Sequence, residues 1–244
     1  MIYLKNQILL KSLFIINIIN RILRLKKITI SSQKVLEKNF KIGLDFTFIQ
    51  VGANDGVSFD FLYDFIINRK AEGIVIEPVK SYYDELLINY SDFPNIIKVN
   101  KAVHPSEKSI KINKISPEAI DDYPDWVKGI ASLDENHHLK LGIEKRHMIK
   151  EEVNADNLMN IITTNYTRKN LDYFQIDTEG FDYEVLKMLN FSILKPGIIK
   201  YETTHLSKEN NEQLKLLLKN NNYFLFSESE DNVAIQLNDI ILCI

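Results

Sequence analysis

The chain has 244 residues, of which 45% are hydrophobic and 26% are charged, an ordinary composition for one globular α/β domain with an appendage. Its formal net charge of −3 argues against a nucleic-acid-binding protein, which usually carries a basic surface stripe. A single cysteine, Cys243, cannot form an intramolecular disulfide, so we expect a reducing, cytoplasmic setting.

Residues 1–30 are predicted to form a basic amphipathic helix that precedes a main domain of residues 31–244, which itself begins with a helix over residues 31–41. Residues 1–27 contain six basic side chains and no acidic one, so the formal charge of −3 divides into +6 here and −9 elsewhere. Helical spacing gives a polar face with Asn17, Asn20, Arg21 and Arg24, and an opposite apolar face with Ile8, Ile15, Ile19 and Ile22.

This N-terminal helix has two interpretations. We expect it to pack on the main domain or on a partner subunit; the alternative is a peripheral contact with an anionic membrane surface through residues 1–27. Its longest uncharged stretch, residues 12–20, is well below the roughly 20 residues that span a bilayer. No small-residue cleavage site follows, which argues against a secretory signal.

A short apolar run ending at Val51 passes directly into a turn bounded by Gly52 and Gly56. Such a near-continuous run is typical of a buried parallel strand. A helix is predicted over residues 57–67, with Ser58 as its N-cap. Because the turn leads into a helix N-terminus and its glycines lack a Cβ, its N–H groups can closely approach a small polar ligand.

The next strand, residues 73–76, ends in Glu77, about 20 residues beyond the turn, where dinucleotide-type folds place an acidic ribose ligand. A carboxylate there can accept hydrogen bonds from both ribose hydroxyls of a nucleoside. A helix over residues 81–90 follows, with Ser81 and Asp84 spaced as a capping pair.

A third strand, residues 96–103, completes an alternation that predicts a parallel sheet with right-handed crossovers. Residues 108–115 alternate polar and apolar side chains, which indicates a half-exposed strand. Residues 116–150 are polar and weakly periodic, and we expect a variable insert on the acceptor side of the site. Because the adjacent His137 and His138 cannot face one site on a helix or a strand, we expect solvated histidines rather than metal ligands.

The C-terminal half continues the alternation of strands and helices. The predicted strands are residues 151–155, 171–176 and 198–201, and the predicted helices run from the Asp156 cap to residue 162, over residues 181–189, and from the Ser207 cap to residue 218. Residues 223–226 and 233–237 flank an acidic turn and are predicted to form a closing antiparallel hairpin.

The carboxyl ends of parallel strands form the ligand-binding edge of an open α/β sheet. On the predicted strands, that edge collects residues 52–56, Glu77, residues 100–102, residues 177–180 and residues 202–205. The glycine turn and Glu77 would hold a nucleoside, with residues 100–102 beside its base. Asp177 would then lie over the reacting end of the ligand.

Several segments along this edge resemble the FkbM family of methyltransferases, over roughly residues 46–237. They are FIQVGANDG at 48–56, IEP at 76–78, VNKAV at 99–103, FQIDTEGFDYEVLKML at 174–189 and KPGIIKYE at 195–202. Compared with the wider methyltransferase glycine motif, Gln50 replaces the usual acid and Asn54 the middle glycine, although asparagine tolerates a positive φ.

The resemblance implies an α/β, Rossmann-like class I methyltransferase fold with a mostly parallel central sheet, helices on both faces and a C-terminal antiparallel hairpin. It also implies S-adenosylmethionine as cofactor, S-adenosylhomocysteine as product, and methylation of a hydroxyl on a sugar, glycan or other small molecule. The predicted cofactor-binding residues are Val51, Gly52, Ala53, Asn54, Asp55, Gly56, Glu77, Pro78, Asn100, Ala102 and Asp177.

Methyl transfer from a sulfonium is an in-line displacement, so catalysis rests largely on holding the acceptor oxygen in line with the methyl group. An aliphatic hydroxyl also gains from a general base. The predicted catalytic residues are Asp177, Glu179, Glu202 and His205, with Asp177 positioning cofactor or acceptor and His205 as a base that titrates near neutrality. A divalent metal bridging carboxylates is an option for which the sequence shows no defined ligand spacing, and no metal ligand is predicted.

Two other functions remain open at the level of sequence. The glycine turn and Glu77 alone also permit a nicotinamide-dependent oxidoreductase. A non-catalytic module that binds an adenosyl ligand and recruits a complex through the N-terminal helix is the third interpretation. The sequence predicts neither the acceptor nor the oligomeric state.

Overall fold

The computed structural model describes residues 1–58 and 61–244. Seven strands form the central sheet: β1 (Asp45–Val51), β2 (Lys70–Ile76), β3 (Ile96–Val99), β8 (Leu171–Ile176), β9 (Pro196–Glu202), β10 (Phe224–Glu228) and β11 (Asp231–Ile235). Their order is β10-β11-β9-β8-β1-β2-β3. The strands from β9 to β3 are mutually parallel, whereas β11 is antiparallel to both β9 and β10. The predicted mostly parallel sheet with a closing hairpin is confirmed.

The strand order reverses between β1 and β8. From β1 the chain moves outward to β2 and β3, then returns to the other side of β1 and continues to β9. Ligands of open α/β sheets bind in the crevice outside the carboxyl ends of the strands at such a switch point. The crevice therefore lies between Val51, which ends β1, and Ile176, which ends β8.

Helices cover both faces of the sheet. They are α1 (Ile2–Ile22), α2 (Ser32–Asn39), α3 (Leu62–Ile66), α4 (Lys80–Asn89), α6 (Leu158–Asn165), α7 (Asp182–Met188) and α8 (Lys208–Asn220), whereas the short α5 (His137–Lys140) belongs to the insert. Two hydrophobic clusters result, because alternate β1 side chains enter opposite faces: Phe46 and Phe48 join one cluster, Ile49 and Val51 the other. Burial on both faces explains the near-continuous apolar run of β1.

A second sheet lies over one end of the first. Its strands are β4 (Ala102–Val103), β5 (Ser109–Ile115), β6 (Ala131–Ser132) and β7 (Met148–Asp156), in the order β4-β7-β5-β6. The predicted third strand, residues 96–103, is thus divided between the two sheets. Much of residues 116–150 forms short turns of 3-10 helix around a small apolar cluster that contains Ile115, Val127 and Ile143.

Three predicted helix starts are wrong. The helix expected over residues 57–67 is α3, which begins at Leu62 after Phe61; Ser58 instead donates to the Asp55 carboxylate at 2.6 Å, and residues 59–60 lie outside the described part of the chain. Helix α4 begins after Val79, whose side chain cannot cap it, so Ser81 and Asp84 form no capping pair. Asn157 rather than Asp156 caps α6, by accepting from the Met159 N–H at 2.9 Å.

The remaining elements match closely. Strand β8 has the predicted bounds, and Ser207 caps α8 by accepting a hydrogen bond from the Asn210 N–H at 3.1 Å. Asp156 is used differently from the expectation: it pairs with Lys101 at 2.9 Å and Lys108 at 3.6 Å and thereby joins β4 to β7 electrostatically.

Helix α1 packs on the domain with a mixed face, on which Leu13 is buried and Leu9 and Leu10 contact the core. The Asn6 side chain is buried, donates to the carbonyls of Leu237 and Ile240 at 2.9 and 2.7 Å, and accepts from the Leu242 N–H at 2.9 Å. Among the described residues, α1 is the helix that is long and apolar enough to cross a membrane by length and composition alone, with Lys5 and Lys11 inside it.

Candidate active site

A cavity of about 880 Å³ lies at the switch point of the central sheet. Its sheet side is formed by the ends of β1, β2, β8 and β9. Its outer side is formed by the second sheet and the insert, including Trp126, Ile130 and Leu133. The predicted residues that line the cavity are Val51, Gly52, Ala53, Asn54, Glu77, Pro78, Ala102, Asp177, Glu179, Glu202 and His205.

The glycine turn closes against the loop that follows β8. Gly52 has φ +77, and a Cβ built on it would lie 1.8 Å from the backbone oxygen of Asp177. The Asp177 N–H in turn donates to the carbonyl of Val51 at 3.0 Å. These contacts hold the two loops together, so the two parts of the predicted site share one rim, with Gly52 and Asp177 on the same side of the sheet.

Asn54 occupies the left-handed conformation that the sequence required of it, with φ +50. Its N–H donates to Glu77 Oε2 at 2.9 Å, and the N–H groups of Gly52 and Ala53 both donate to the carbonyl of Ile76 at 3.0 Å. The turn is therefore fixed to the end of β2 by its own backbone. Within it, the Asp55 carboxylate accepts from the N–H groups of Val57 and Ser58.

Glu77 is buried, yet its carboxylate faces the cavity and holds two backbone donors. Besides Asn54, the Val79 N–H donates to Oε1 at 2.8 Å. Burial, assisted by the nearby Glu151, raises the pKa of Glu77 to about 7 against the lowering effect of the two N–H donors and Lys114. Each carboxylate oxygen has a second lone-pair site, so Glu77 can accept a ligand hydroxyl at each oxygen in addition.

Three predicted cofactor residues lie behind the cavity wall. Asp55 caps the turn, and Gly56 (φ +79) packs so closely on Tyr90 that a Cβ would lie 2.2 Å from its ring. Asn100 donates to the carbonyls of Glu77 and Pro78 at 2.9 and 3.0 Å. Each of them shapes the wall rather than lining the cavity.

The loop after β8 reverses direction through two consecutive residues with positive φ. Glu179 (φ +53) and Gly180 (φ +102) both adopt positive φ, and the Ser132 hydroxyl donates to the Glu179 carbonyl at 3.0 Å. Ser132 belongs to β6, so this bond ties the insert to the rim of the central sheet. The chain reversal points the Glu179 side chain toward the end of β9.

Four side chains from distant segments meet beside this loop. Glu179 Oε2 lies 3.0 Å from His137 Nε2 and 3.4 Å from His205 Nε2, and Glu202 Oε1 lies 3.5 Å from His205 Nε2. The two imidazole ring centroids are 4.5 Å apart at an interplanar angle of 73°. The expectation that His137 and His138 are solvated is wrong, since their exposed fractions are 1% and 3%.

The charge states in this cluster follow from its burial. Burial lowers the pKa of His205, which the charge of Glu179 partly opposes, so the imidazole is held neutral near pH 7. Burial and then the neighbouring Asp177 and Glu179 raise the pKa of Glu202 to about 9, so its carboxyl is protonated at neutral pH. The cluster thus offers the neutral imidazole of His205 next to the neutral acid of Glu202.

Sequence reasoning missed the structural role of Asp182. Its carboxylate is fully buried and accepts from the Thr178 hydroxyl at 2.8 Å, the Thr178 N–H at 3.3 Å and the Glu202 N–H at 3.1 Å. It therefore joins the ends of β8 and β9 beneath the cluster. Its position at the start of α7 by itself indicates only a favourable charge at a helix N-terminus.

Asp182 gives the stability of the protein a pH dependence. Burial raises its pKa from 3.8 to about 7, so the folded protein holds this proton more tightly than the unfolded chain does. The contribution of the group to the free energy of unfolding is fully present below about pH 4 and falls as pH rises to about 7, by up to about 1.4 kcal/mol per pH unit.

Asp182→Asn removes this titration. We expect the unfolding free energy of the wild type minus that of the variant, from urea titrations, to decrease steadily between pH 5 and pH 7. A difference that stays constant over that interval would contradict the assignment of a buried, protonated carboxyl.

The residues present fit a nucleoside-containing cofactor. The cavity has the volume of a small-molecule site, its floor is a turn that packs directly on the Asp177 backbone at Gly52, and a buried carboxylate, Glu77, faces it from the next strand. A turn-plus-acid arrangement of this kind suits a ribose and the group attached to it.

Comparison with solved structures finds methyltransferases of low sequence identity. Among solved structures, similar ones include a methyltransferase FkbM from Methylobacillus flagellatus KT, with 14% identity and a TM-score of 0.47 over 79% of this chain and 44% of that one. A precorrin-6y C5,15-methyltransferase from Geobacter metallireducens GS-15 gives 12% identity and a TM-score of 0.41 over 84% of this chain and 87% of that one. Aeropyrum pernix fibrillarin with natively bound S-adenosyl-L-methionine gives 8% identity and a TM-score of 0.39 over 83% of this chain and 72% of that one.

A search of curated proteins finds no match to the sequence. The model of the methyltransferase FkbM domain, in contrast, matches residues 50–225, which include the glycine turn, Glu77, the β8 loop and the end of β9. The resemblance of the sequence motifs is thereby confirmed, and the chain belongs to the methyltransferase FkbM domain family.

Proposed function

We propose that this S-adenosylmethionine-dependent methyltransferase methylates a hydroxyl oxygen of a sugar, glycan or other small molecule. The observation that carries the proposal is the single cavity that joins Glu77 and the glycine turn at one end to Glu179, Glu202 and His205 at the other. One end suits a nucleoside, and the other suits a hydroxyl that must lose a proton.

When bound, S-adenosylmethionine supplies a methyl group on a sulfonium, whose carbon–sulfur bond breaks with its electron pair left on sulfur as the acceptor oxygen bonds to the methyl carbon. Glu77 would hold the ribose hydroxyls, and Gly52 and Ala53 would form the floor beneath the nucleoside. Asp177, where the two loops meet, would supply a carboxylate for the positive charge and would orient the reacting end.

The imidazole and carboxyl cluster lies at the end of the cavity that would bind the acceptor hydroxyl. His205 is held neutral by burial, so a ring nitrogen lone pair is available for the acceptor proton. Glu202 is protonated and can donate a hydrogen bond to the acceptor. Trp126 is half exposed at the cavity wall and offers an apolar ring face on which a sugar can stack.

The charge of the chain favours a neutral or small acceptor. Residues outside 1–27 carry a formal charge of −9, which disfavours a polyanionic acceptor such as RNA. The Rossmann-type turn also suits a nicotinamide cofactor in isolation, but the family match and the cluster at the far end of the cavity favour methyl transfer.

The experiment is methyl transfer from isotopically labelled S-adenosylmethionine to a panel of sugars and glycans, other alcohols, amines and RNA, followed by mass spectrometry that locates the label. We expect label on a hydroxyl oxygen, and transfer reduced by at least about 100-fold in His205→Ala, as for loss of a general base. Label found only on nitrogen or on RNA would contradict the proposal.

A further inference from the structure

We propose that His137, Glu179 and His205 form a binding site for a divalent transition-metal ion of the zinc class, which holds the acceptor oxygen. The inference rests on the proposed function, because the site opens into the same cavity. The three ligand atoms lie within 4.8 Å of one another, and they come from α5, the β8 loop and the segment after β9. No one of these segments carries the set by itself.

The separations of the atoms match a shared ion. Two ligands that bind one tetrahedral Zn²⁺ at about 2.1 Å lie about 3.4 Å apart. Glu179 Oε2 lies 3.0 Å from His137 Nε2 and 3.4 Å from His205 Nε2, so small side-chain shifts suffice to place all three around one centre.

His137 points to a ligand independently of these distances. Its side chain is 1% exposed, and within residues 1–58 and 61–244 neither ring nitrogen makes a hydrogen bond of acceptable geometry. A buried imidazole without such bonds is costly, and an ion at Nε2 would satisfy it. His138 next to it has a partner, since its Nδ1 lies 2.8 Å from the Glu135 carbonyl.

The ligand types select the kind of ion and its use. Two imidazoles with one carboxylate suit Zn²⁺, Fe²⁺ or Co²⁺, whereas Mg²⁺ prefers an all-oxygen site. Glu179 and His205 line the cavity, so a fourth position on the ion would face it. A hydroxyl bound there is a stronger acid than a free one. Because the ion takes the lone pair of His205 Nε2, that nitrogen is not the base when the ion is bound, and the hydroxyl proton passes to water in the cavity.

The test is metal binding by the full chain, stripped of metal with a chelator and titrated with Co²⁺ and Zn²⁺. Metal content is measured by mass spectrometry, and coordination by the visible absorption of Co²⁺. We expect one equivalent in the wild type and an affinity at least about 100-fold lower in His137→Ala and in Glu179→Gln, the upper range for loss of a group that supports a metal.

His147→Gln is the matched control, because His147 contacts Tyr123 at 2.8 Å and belongs to neither the cavity nor the cluster. It should bind Co²⁺ as the wild type does, and circular dichroism verifies that all variants are folded. Absence of stoichiometric binding by the wild type, or unchanged binding by His137→Ala, would overturn the site. Binding of S-adenosylhomocysteine by the metal-free protein is measured in parallel, so failure of the metal site and failure of the proposed function are distinguishable.

A second inference concerns α1. We infer that its exposed face lies on an anionic lipid surface. A mixed face contacts the protein: Leu13 and Asn6 are buried, and the Asn17 side chain pairs with the backbone of Ile28, with both bonds at 2.8 Å. The opposite face is left open, and Leu4, Ile8, Ile15, Ile19 and Ile22 are each about half or more exposed.

The positive charge of the N-terminal segment favours an anionic lipid surface as the partner of the exposed face of α1. Residues 1–36 contain seven basic side chains and no acidic one, so an identical helix from a second copy would be repelled while anionic headgroups are attracted. A spanning orientation would require α1 to give up the three hydrogen bonds of Asn6 to the C-terminal segment. Lying in the interface keeps those bonds and buries the isoleucines.

The test is co-sedimentation of the full chain with vesicles of phosphatidylcholine alone or mixed with phosphatidylglycerol. We expect binding to the anionic vesicles that high salt weakens, and at least about tenfold weaker binding by Ile15→Glu/Ile19→Glu. Ile88→Glu/Leu216→Glu is the matched control, since it places the same charges on exposed positions of α4 and α8. Equal binding by both double variants, or a dimer in ultracentrifugation that only Ile15→Glu/Ile19→Glu disrupts, would overturn the assignment to lipid.

Discussion

Replacing Gly52 with alanine is expected to abolish measurable binding of S-adenosylmethionine and to destabilise the fold. The new Cβ would lie 1.8 Å from the backbone oxygen of Asp177, which is held in place by its own N–H bond to Val51. Neither backbone can move without opening the rim between β1 and β8. We expect a loss of about 3 kcal/mol or more in unfolding free energy, measured by urea titration, together with loss of calorimetric binding.

Gly142→Ala isolates the cost of backbone conformation. Gly142 also has positive φ (+69), but a Cβ there would meet nothing within 4 Å. This control should lose only about 1–2 kcal/mol from conformational strain and should bind the cofactor normally. If both alanine variants behaved alike, the close contact of the two loops would not be what shapes the site.

Glu77→Ala should weaken S-adenosylhomocysteine binding by about 100-fold, because it removes both the proposed ribose acceptor and the carboxylate that holds the turn at Asn54. Oε2 and Oε1 hold the N–H groups of Asn54 and Val79, so the substitution leaves these donors without their acceptor. Calorimetry of the folded variant gives the affinity.

An analogue of S-adenosylhomocysteine that lacks the 2′ and 3′ hydroxyls separates the two roles. If Glu77 binds the ribose, removing the hydroxyls should weaken binding to the wild type much more than to Glu77→Ala, as expected for interacting partners. An equal loss in both proteins would show that Glu77 only supports the turn.

The rim was predictable because its determinants are local. Buried parallel strands leave a continuous apolar run, so β1 and β8 could be placed from residues within each strand. Their ends then fix where Gly52 and Asp177 lie, since parallel strands share one edge. The positive φ of Asn54 also followed from its place in the turn.

The acceptor side was not predictable, because its contacts join segments far apart in sequence. His137 meets Glu179 and His205 only after the insert folds over the sheet, and adjacent histidines in a polar stretch resemble solvated residues. The second sheet, which takes Val103 away from the expected third strand, likewise depends on pairing with β7. The spacing of residues in the sequence predicts neither the cluster around Glu179 nor the second sheet.

The predicted start of α6 was wrong for a more local reason. Asp156 and Asn157 are adjacent and both are good caps, so composition could not choose between them. Pairing of Asp156 with Lys101 and Lys108 decides it in the folded chain. The orientation of α1 was similarly hidden, since an amphipathic helix normally buries its most apolar face, whereas here a mixed face with Asn6 and Leu13 is buried and Ile15 and Ile19 stay exposed.

The most direct measurement is a calorimetric titration of the purified full chain with S-adenosylhomocysteine, repeated with Gly52→Ala and Gly142→Ala. If the glycine turn and the β8 loop meet at one cofactor-binding rim, we expect a single site with micromolar affinity in the wild type and in Gly142→Ala. We expect no binding heat in Gly52→Ala. A folded wild-type protein that shows no heat with S-adenosylhomocysteine, but binds NADH saturably, would contradict the account.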